Sequence, residues 1–435
     1  MAARFAEHPS RQQLTNELHA RPFQKAVAPG RVLHLAFKEP TGAAERDQGT
    51  DLAHLFTFLD RFGSPRPANG ARQHTADLGR FRLKWECHTE FVSYTLFEDG
   101  PVDDLFEGRL INHLDETWLA DAPGKAVAAV QCEIIAVDRV DNPEALLTHD
   151  RLRHFDAQSI ATSELIDGRA IGLGDFRIHE GGFTRFALFV TESAGPRRIG
   201  RAVQRLLEIE TYRTMAMLAL PIAHRVSRRL NGIESELAEL ANAVTVEGPE
   251  RIADEAVLTQ LTTLSAEIEA MSASSAFRFE AADAYASIVG ERLDALREKP
   301  VMGRQRFREF MARRFDPAMR TVSAAKSRIG SLSNRAARTA QLLRTRVNVT
   351  LEAQNQRLLE SMDRRAALQL RLQETVEGLS VVAISYYAVS LAAFMVEPVA
   401  QSIGLNQASL LALLTVPVVG AVWWFVRRIR NRLSE

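Results

Sequence analysis

Two long apolar stretches decide the fold of this 435-residue chain: Leu379–Val396, LSVVAISYYAVSLAAFMV, and Ala408–Val426, ASLLALLTVPVVGAVWWFV. They contain eighteen and nineteen residues without one charged side chain. A hydrocarbon core of about 30 Å is crossed by a helix of about 20 apolar residues, whose backbone hydrogen bonds are all internal. The stretches predict a transmembrane hairpin with spans at residues 379–396 and 408–426. A helical hairpin buried in a soluble domain is the competing interpretation.

Arginines flank the predicted hairpin at its two outer ends. The flanking residues are Arg364, Arg365 and Arg371 before the first span, and Arg427, Arg428 and Arg430 after the second. The connecting loop, residues 397–407, contains no Lys or Arg. The positive-inside rule therefore predicts an inner-membrane protein with an extracytoplasmic loop, a basic cytoplasmic tail at residues 427–435 and both termini in the cytoplasm. Arginines at such positions also suit anionic lipid headgroups.

The composition describes a folded chain from a reducing compartment. Apolar residues make up 46% of the chain and charged residues 25%, which excludes a wholly disordered protein and allows two or three domains. Cys87 and Cys132 are the only cysteines, which excludes a disulfide-bonded scaffold and an all-cysteine zinc site. The 54 basic residues balance 54 acidic residues, so no nucleic-acid partner is predicted.

Residues 1–195 are predicted to form a cytosolic α+β domain. Alternating apolar and polar residues between Phe81 and Val140 favour strands on either side of a short helical stretch. Gly181-Gly182 joins two further alternating stretches, which is a strong hairpin signal. The pattern after this domain changes to that of long helices.

Residues 196–298 are predicted to form an antiparallel helical arm, broken at Val246–Pro249, and residues 299–378 a stem. No proline occurs between Pro317 and Pro398, so a single helix is expected to run from Ala318 through the first span. At 1.5 Å per residue, such a helix reaches about 120 Å.

Apolar residues recur along the stem at spacings of three, four or seven. The series is Leu343, Val347, Leu351, Leu358, Met362, Leu372 and Val376. Asn and Gln occupy other positions of the same registers. This pattern is typical of a coiled-coil seam that is shared between subunits, and it predicts a homo-oligomer.

The charges segregate between arm and stem. Residues 231–298 hold fourteen acidic residues against four arginines, and residues 300–378 hold sixteen basic residues against seven acidic ones. One interpretation is that two helical faces complement each other within one bundle. Another is that an acidic arm and a basic collar near a membrane respond to divalent cations. The sequence leaves both open.

Three motifs carry a family resemblance: residues 16–23, NELHARPF; residues 88–94, HTEFVSY; and residues 377–387, EGLSVVAISYY. They resemble an uncharacterised bacterial family of predicted membrane-anchored proteins. The resemblance covers nearly the whole chain and implies no known activity.

The order of an α/β domain, an acidic helix pair, a stem helix and two C-terminal spans resembles the CorA-type magnesium channels. The resemblance implies a pentamer whose first span lines a pore for Mg²⁺ or another divalent cation. Those channels carry a Gly-Met-Asn signature after the first span; here Gly404 and Asn406 enclose Leu405, and coincidence is the alternative. The candidate pore-lining residues are Asn348, Asn355, Gln369, Glu377, Ser380, Tyr387 and Ser390. Packing between membrane helices is the other explanation for the span residues.

A second candidate site is a cleft in the α+β domain. Its candidate residues are Glu17, His19, Arg21, His88 and Glu90. His88 and Glu90 are two apart on an expected strand, so they are expected to share a face, where His and carboxylate suit a metal or acid–base chemistry. Hydrogen bonds that pin the N-terminal segment to the sheet are the alternative. No nucleophile, phosphate-loop or zinc-protease motif accompanies them, so no enzyme is predicted.

Two hypotheses follow for the function. The first is an inner-membrane homo-oligomer of CorA-like build that passes or senses divalent cations. The second is a membrane-anchored adaptor or ligand-binding protein without transport activity, which needs no symmetric axis.

Overall fold

A computed structural model describes residues 5, 7–12, 14–15, 23–40, 46–102, 104–107, 110–245, 254–402 and 406–433. The chain forms two compact units, Met1–Thr339 and Ala340–Glu435, called here the first and second unit. Glu17, His19, Arg21 and Gly404 lie outside the described residues.

Within the described residues, nine strands form one sheet in the order β2-β3-β4-β1-β5-β8-β7-β6-β9. The strands are β1 Gly30–Lys38, β2 Gln73–Asp77, β3 Arg82–Cys87, β4 Phe91–Asp99, β5 Lys125–Ala136, β6 Ala161–Leu165, β7 Ala170–Gly174, β8 Thr184–Val190 and β9 Lys299–Pro300. Neighbouring strands are antiparallel except β5 and β8. The predicted pair around Gly181-Gly182 is present as β7 and β8, and both glycines have a φ of 87°.

From residue 30 onward, nine α-helices accompany the sheet in the described part of the chain. They are α1 Gln48–Arg61, α2 Glu116–Ala120, α3 Pro143–Leu146, α4 His149–Leu152, α5 Pro196–Met217, α6 Leu220–Thr245, α7 Asp254–Leu296, α8 Phe307–Ser402 and α9 Gln407–Leu433. An α/β domain with a sheet, followed by long helices and two apolar helices, is therefore confirmed.

Both faces of the sheet are buried, which explains why every residue of β1 is buried. Leu33 and Leu35 point to one face and pack in a cluster with Phe58 of α1. Val32, from the alternate positions, packs on the other face in a cluster with Val203 of α5 and Phe307 of α8. The sheet is thus the middle layer between α1 and the long helices.

The sheet is not complete within residues 1–195. Strand β9 follows the helical arm in sequence and pairs with β6, and Ser163 of β6 donates a hydrogen bond to Glu298 at 2.6 Å. Residues after the arm therefore belong to the fold of the first unit.

The arm helices are antiparallel, because Glu208 pairs with Arg292 while Arg229, later in the chain, pairs with Glu267, which is earlier. The part of the predicted arm before its break at Val246–Pro249 is divided into two helices, α5 and α6. Pro221, in the first turn of α6, lacks the N–H that would continue the helix from α5.

Acidic residues of the arm pair with basic residues at the start of α8. Arg328 and Arg335 contact Glu234 at 2.9 and 3.0 Å, and Lys326 contacts Asp283 at 3.0 Å. Within the first unit, the arm therefore contacts its own chain's α8, as the interpretation of complementary helical faces expects.

Helix α8 is continuous from Phe307 to Ser402, so the prediction of one helix running into the first span is confirmed. It begins before Ala318 and contains Pro317 and Pro398, so both prolines were wrongly expected to bound it. The predicted loop at residues 397–407 is shorter, since α8 ends at Ser402 and α9 begins at Gln407. Helix α9 also extends through most of the predicted tail, to Leu433.

The second unit contains two helices long and apolar enough to cross a membrane. Their apolar windows lie within Phe307–Glu397 and Ala408–Ile429 and have mean hydropathies of 2.0 and 2.1. Only 6% of each window is buried within the chain. The described part of the chain therefore does not bury this hairpin in its own core.

A substitution at Gly200 tests the packing of the backbone at Gln24 against α5. A Cβ built on Gly200 would lie 1.9 Å from the carbonyl oxygen of Gln24, whereas a Cβ on Gly290 of α7 meets nothing within 4 Å. We expect Gly200→Ala to lower the free energy of unfolding by about 1–3 kcal/mol, because backbone must move. The matched change Gly290→Ala is expected to raise it by about 0.5–1 kcal/mol, because alanine favours a helix. Thermal unfolding in detergent checks both; a stabilised Gly200→Ala variant would contradict the described packing.

Candidate functional site

A cavity of about 250 Å³, called here the sheet cavity, lies between the sheet and helices α5 and α7. Its polar lining residues are Gln24, His34, Lys84, Glu86, His88, Ser93, Thr95, Gln204, Arg205, Glu208, Thr211, Tyr212 and Arg292. Phe23, Phe91 and Phe97 supply aromatic faces. Gly200 allows the backbone of Gln24 to cross α5 closely at the edge of this cavity. A concave surface with convergent polar groups is the usual form of a small-molecule site.

His34 of β1 joins the sheet to α5 inside the cavity. Its Nδ1 lies 2.8 Å from Thr95 Oγ1, and its Nε2 lies 3.1 Å from Thr211 Oγ1. The Thr211 hydroxyl donates its proton to the Leu207 carbonyl at 2.8 Å, so it accepts from Nε2–H, and Thr95 donates to Nδ1. Burial, followed by the charge of Lys84, lowers the pKa of His34 from 6.5 to about 3. His34 is therefore a neutral, fixed imidazole at neutral pH.

Charged groups in the sheet cavity neutralise one another in a chain. Lys84 contacts Glu86 at 2.9 Å and Gln204 at 3.4 Å. Gln204 donates to Glu208 at 2.7 Å, and Glu208 pairs with Arg292. Because Lys84 is buried and Glu86 is partly buried, this pairing offsets the cost of removing their charges from water. The cavity thus presents both paired polar groups and aromatic side chains.

The structure separates His88 from Glu90. Both lie in the turn between β3 and β4, so the expectation that they share the face of a strand is wrong. His88 stacks on Phe91 with ring centroids 4.2 Å apart and lines the sheet cavity. Glu90 accepts hydrogen bonds from Arg278 at 2.6 and 3.0 Å and from the Tyr285 hydroxyl at 2.9 Å. Glu90 therefore ties the turn to α7.

Metal binding by a cluster of side chains has no support in the part of the chain that the structure describes. No group of three or more His, Cys, Asp or Glu residues converges there. His88 and Glu90 alone would supply two ligands, which is fewer than a zinc site uses.

The candidate pore-lining residues all lie on α8 in the second unit. Six of them are exposed: Asn348, Asn355, Gln369, Ser380, Tyr387 and Ser390. Glu377 is half-buried and accepts a hydrogen bond from Gln373 at 3.3 Å. Ser380 and Ser390 donate to the backbone carbonyls of Val376 and Tyr386, four residues earlier. The hydroxyls of these two serines are thus satisfied within α8, with lone pairs left for other ligands.

Asn406 is the residue immediately before α9. The Asn406 carbonyl accepts hydrogen bonds from the backbone N–H groups of Ser409 and Leu410 at 3.0 and 3.1 Å. Asparagine is favoured before the first turn of a helix, which gives this residue a structural explanation.

The flanking arginines lie on α8 and α9. Arg364, Arg365 and Arg371 are exposed on α8. Arg427 and Arg428 stack over the rings of Trp423 and Trp424 on α9, at 4.8 and 5.0 Å from the ring centroids. Arg430 lies one turn further along α9. Tryptophan with an adjacent arginine is typical of a membrane interface.

Sequence reasoning missed most of the sheet cavity. His34, Lys84, Gln204 and Glu208 come from two strands and a helix that are far apart in sequence. The one available signal was His34 itself, a polar residue in the otherwise apolar centre of GRVLHLAFK.

Comparison with known proteins assigns the chain to a family. Residues 6–433 match the family model described as "Protein of unknown function (DUF3422)". The chain belongs to this family. The expectation of an uncharacterised family is therefore confirmed. No curated protein and no solved structure matches the chain.

A substitution at Glu90 tests the buried ion pair that joins the β3–β4 turn to α7. The side chains of Arg278 and Glu90 are 11% and 3% exposed, so Glu90→Gln leaves a buried guanidinium without its counter-charge. We expect a loss of about 3 kcal/mol in the free energy of unfolding. The control Asp141→Asn breaks an exposed pair with Arg139 and is expected to leave the free energy of unfolding nearly unchanged. Equal unfolding midpoints for the two variants in urea would contradict this role of Glu90.

His34 predicts a specific dependence of stability on pH. Because its folded-state pKa is lowered to about 3, the unfolded chain takes up a proton below pH 6.5 while the folded chain does not. The stability that His34 contributes is therefore complete above pH 6.5 and is lost as pH falls toward 3, by up to about 1.4 kcal/mol per pH unit.

Urea unfolding of the full chain at several values between pH 4.5 and 7.5 measures this effect. The difference between the wild type and His34→Gln is expected to shrink as the pH falls. His149→Gln, at an exposed histidine of α4, serves as control and should follow the wild type. A difference for His34→Gln that is constant with pH would contradict the neutral buried imidazole.

Proposed function

We propose that this protein is a membrane-anchored homo-oligomer in which copies of α8 surround an axis that passes divalent cations, as in the CorA-type build that the element order resembles. One observation carries the proposal: the water-side part of α8 exposes ten large apolar side chains, and five of them lie on one seam. The ten residues are Leu342, Val349, Leu351, Leu358, Leu359, Met362, Leu368, Leu370, Leu372 and Val376, each at least 52% exposed. Apolar surface of this extent is unusual on a monomer in water, and a second copy of the same helix covers it economically.

Five of the ten exposed residues and three of the polar candidates fit one heptad register, in which Arg365 also falls on the series of Leu351. Leu351, Leu358, Leu372 and Leu379 are separated by multiples of seven residues. Asn348, Asn355 and Gln369 lie three residues before Leu351, Leu358 and Leu372, respectively. They form a second series with the same spacing, which also includes Met362 and Val376. These two series correspond to the d and a positions of a coiled coil, in which a polar a residue selects register and subunit number. The proposed seam therefore contains amides at regular intervals.

The same register continues into the first apolar stretch. Ser390 lies on the series of Asn348, while Ser380 and Tyr387 lie one position beyond the series of Leu379. Glu377 follows Val376 directly, at the beginning of that stretch. Amide, hydroxyl and carboxylate oxygens at one side of a helix suit a hydrated Mg²⁺ ion, which prefers oxygen ligands and retained water.

The placement in the inner membrane with both termini in the cytoplasm is part of this proposal. It is supported by the arginines at the outer ends of the two apolar helices and by the absence of Lys and Arg between residues 397 and 407. The Trp423 and Trp424 rings beside Arg427 and Arg428 support an interface at that end of α9.

The second candidate is a membrane-anchored ligand-binding or adaptor protein without transport. The sheet cavity favours it, because a cavity with a neutral histidine and a paired charge network needs no oligomeric axis to bind a ligand. The two candidates differ in whether oligomers of the full chain conduct ions.

A matched pair of leucines tests the seam. Leu372 and Leu370 are 66% and 64% exposed in the single chain, but only Leu372 lies on the proposed seam. We expect Leu372→Glu to dissociate the oligomer, because like charges would meet at the seam, and Leu370→Glu to leave it intact. Native mass spectrometry in detergent measures subunit number. A monomeric wild type would overturn the homo-oligomer.

Transport is tested with the wild-type oligomer in liposomes that contain a Mg²⁺ indicator. We expect Mg²⁺ entry, and a severalfold lower rate for Asn355→Leu and Gln369→Leu, because each removes amide ligands without adding charge. Leu370→Asn, off the seam, is the control and should conduct as the wild type does. An intact oligomer that passes no divalent cation would contradict the transport proposal and favour the ligand-binding candidate.

A further inference from the structure

A second cavity of about 310 Å³, called here the arginine cavity, adjoins the sheet cavity in the first unit. Both cavities are lined by Arg205 and Ala295, so one wall is common. The remainder of the arginine cavity is formed by α5, by the end of α7 and by the turn between β6 and β7 at Ile166 and Asp167. Nothing in the proposed cation pathway uses these residues.

Four guanidinium groups face the arginine cavity with one carboxylate. Arg198, Arg201 and Arg205 follow each other at spacings of three and four residues, so they share one face of α5. Arg297 closes the end of α7, and Asp167 supplies the carboxylate. Among the described residues, none of these four arginine side chains makes a hydrogen bond or an ion pair. The cavity therefore carries an excess of positive charge.

In the sheet cavity of the same unit, charged side chains have partners of opposite charge. There Lys84 has Glu86 and Arg292 has Glu208 as partners. Arg205 is half-buried, and burial followed by the charges of Arg201, Arg292 and Arg297 lowers its pKa, opposed by Glu208. Repulsion between partly buried like charges destabilises the arginine cavity. A bound anion would offset that repulsion.

We propose that the two cavities form one binding site for a nucleoside di- or triphosphate, with the phosphates on Arg198, Arg201, Arg205 and Arg297 and the base in the sheet cavity. Arginine forks match phosphate oxygens with two parallel hydrogen bonds. Phe91 and Tyr212, with ring centroids 6.1 Å apart, supply apolar faces for an aromatic base beyond the shared wall. The polar chain from Lys84 to Glu208 supplies donors and acceptors for its edge.

The geometry favours a small molecule over a flat anionic surface. Arg198 and Arg297 are exposed at the opening, but Arg205 is half-buried on the wall between the cavities. A small ligand can enter from solvent and contact all four arginines, and the cavity volume is within the range of small-molecule sites. A lipid surface would reach only the exposed pair.

Isothermal titration of the purified full chain in detergent tests the site with ATP, GTP, inorganic triphosphate, adenosine and a soluble inositol phosphate headgroup. We expect ATP or GTP to bind at least tenfold more tightly than inorganic triphosphate, and adenosine to bind weakly. The double variant Arg201→Ala/Arg205→Ala is expected to lose at least tenfold in nucleotide affinity. Arg225→Ala, at an exposed arginine of α6, is the matched control and should bind as the wild type does.

Folding of the variants is checked by thermal unfolding, in which nucleotide should raise the midpoint of the wild type and of Arg225→Ala but not of the double variant. Arg201→Lys/Arg205→Lys keeps the charge and should retain part of the affinity. The proposal is overturned if no nucleotide binds the wild type, if the double variant binds equally, or if inorganic triphosphate or the inositol phosphate binds as tightly as ATP and GTP.

Discussion

The apolar surface of α8 is the constraint on which the architecture depends. One continuous helix, Phe307–Ser402, begins packed against the sheet domain and ends in an apolar stretch of which only 6% is buried in the chain. Between them lie leucines that water would solvate poorly and that the single chain leaves exposed. In the proposed assembly, a bilayer covers the terminal stretch, and copies of the same helix cover the leucines on the seam. Membrane anchoring and self-association would then each remove apolar surface from water.

The first unit contains the sheet and the first part of α8. Its nine-stranded sheet is covered on both faces, and specific polar ties cross the layers: His34 links β1 to α5, and Glu90 links the β3–β4 turn to α7. Ion pairs from Glu234 and Asp283 then hold α8 to the arm. Arg198, Arg201 and Arg205 of α5 differ from this pattern, because within the described chain their side chains make no ion pair. We expect ligand chemistry at this cluster because its like charges gather beside a cavity.

The sequence predicted those features that depend on local pattern. Charge-free length indicated two apolar helices, the Gly181-Gly182 turn indicated β7 and β8, and proline spacing indicated the continuity of α8. The helix bounds were less accurate, because Pro317 and Pro398 each remove a single hydrogen bond, which a helix of this length tolerates. His88 and Glu90 were placed on a strand because their alternation continues from β3, yet the chain reverses at that point. Local sequence pattern could not predict the cavities, since Arg297 and Arg205 line the same cavity only when α5 and α7 pack antiparallel.

Cysteine cross-linking in native membranes tests the covered seam of α8 most directly. Cys87 and Cys132 are free and buried, and burial raises the pKa of both thiols, so an introduced cysteine is the reactive one. In the full chain, Leu372→Cys is expected to form disulfide-linked dimers between copies under mild oxidation, and Leu370→Cys is not. No cross-link at position 372, or equal cross-linking at both positions, would contradict the account.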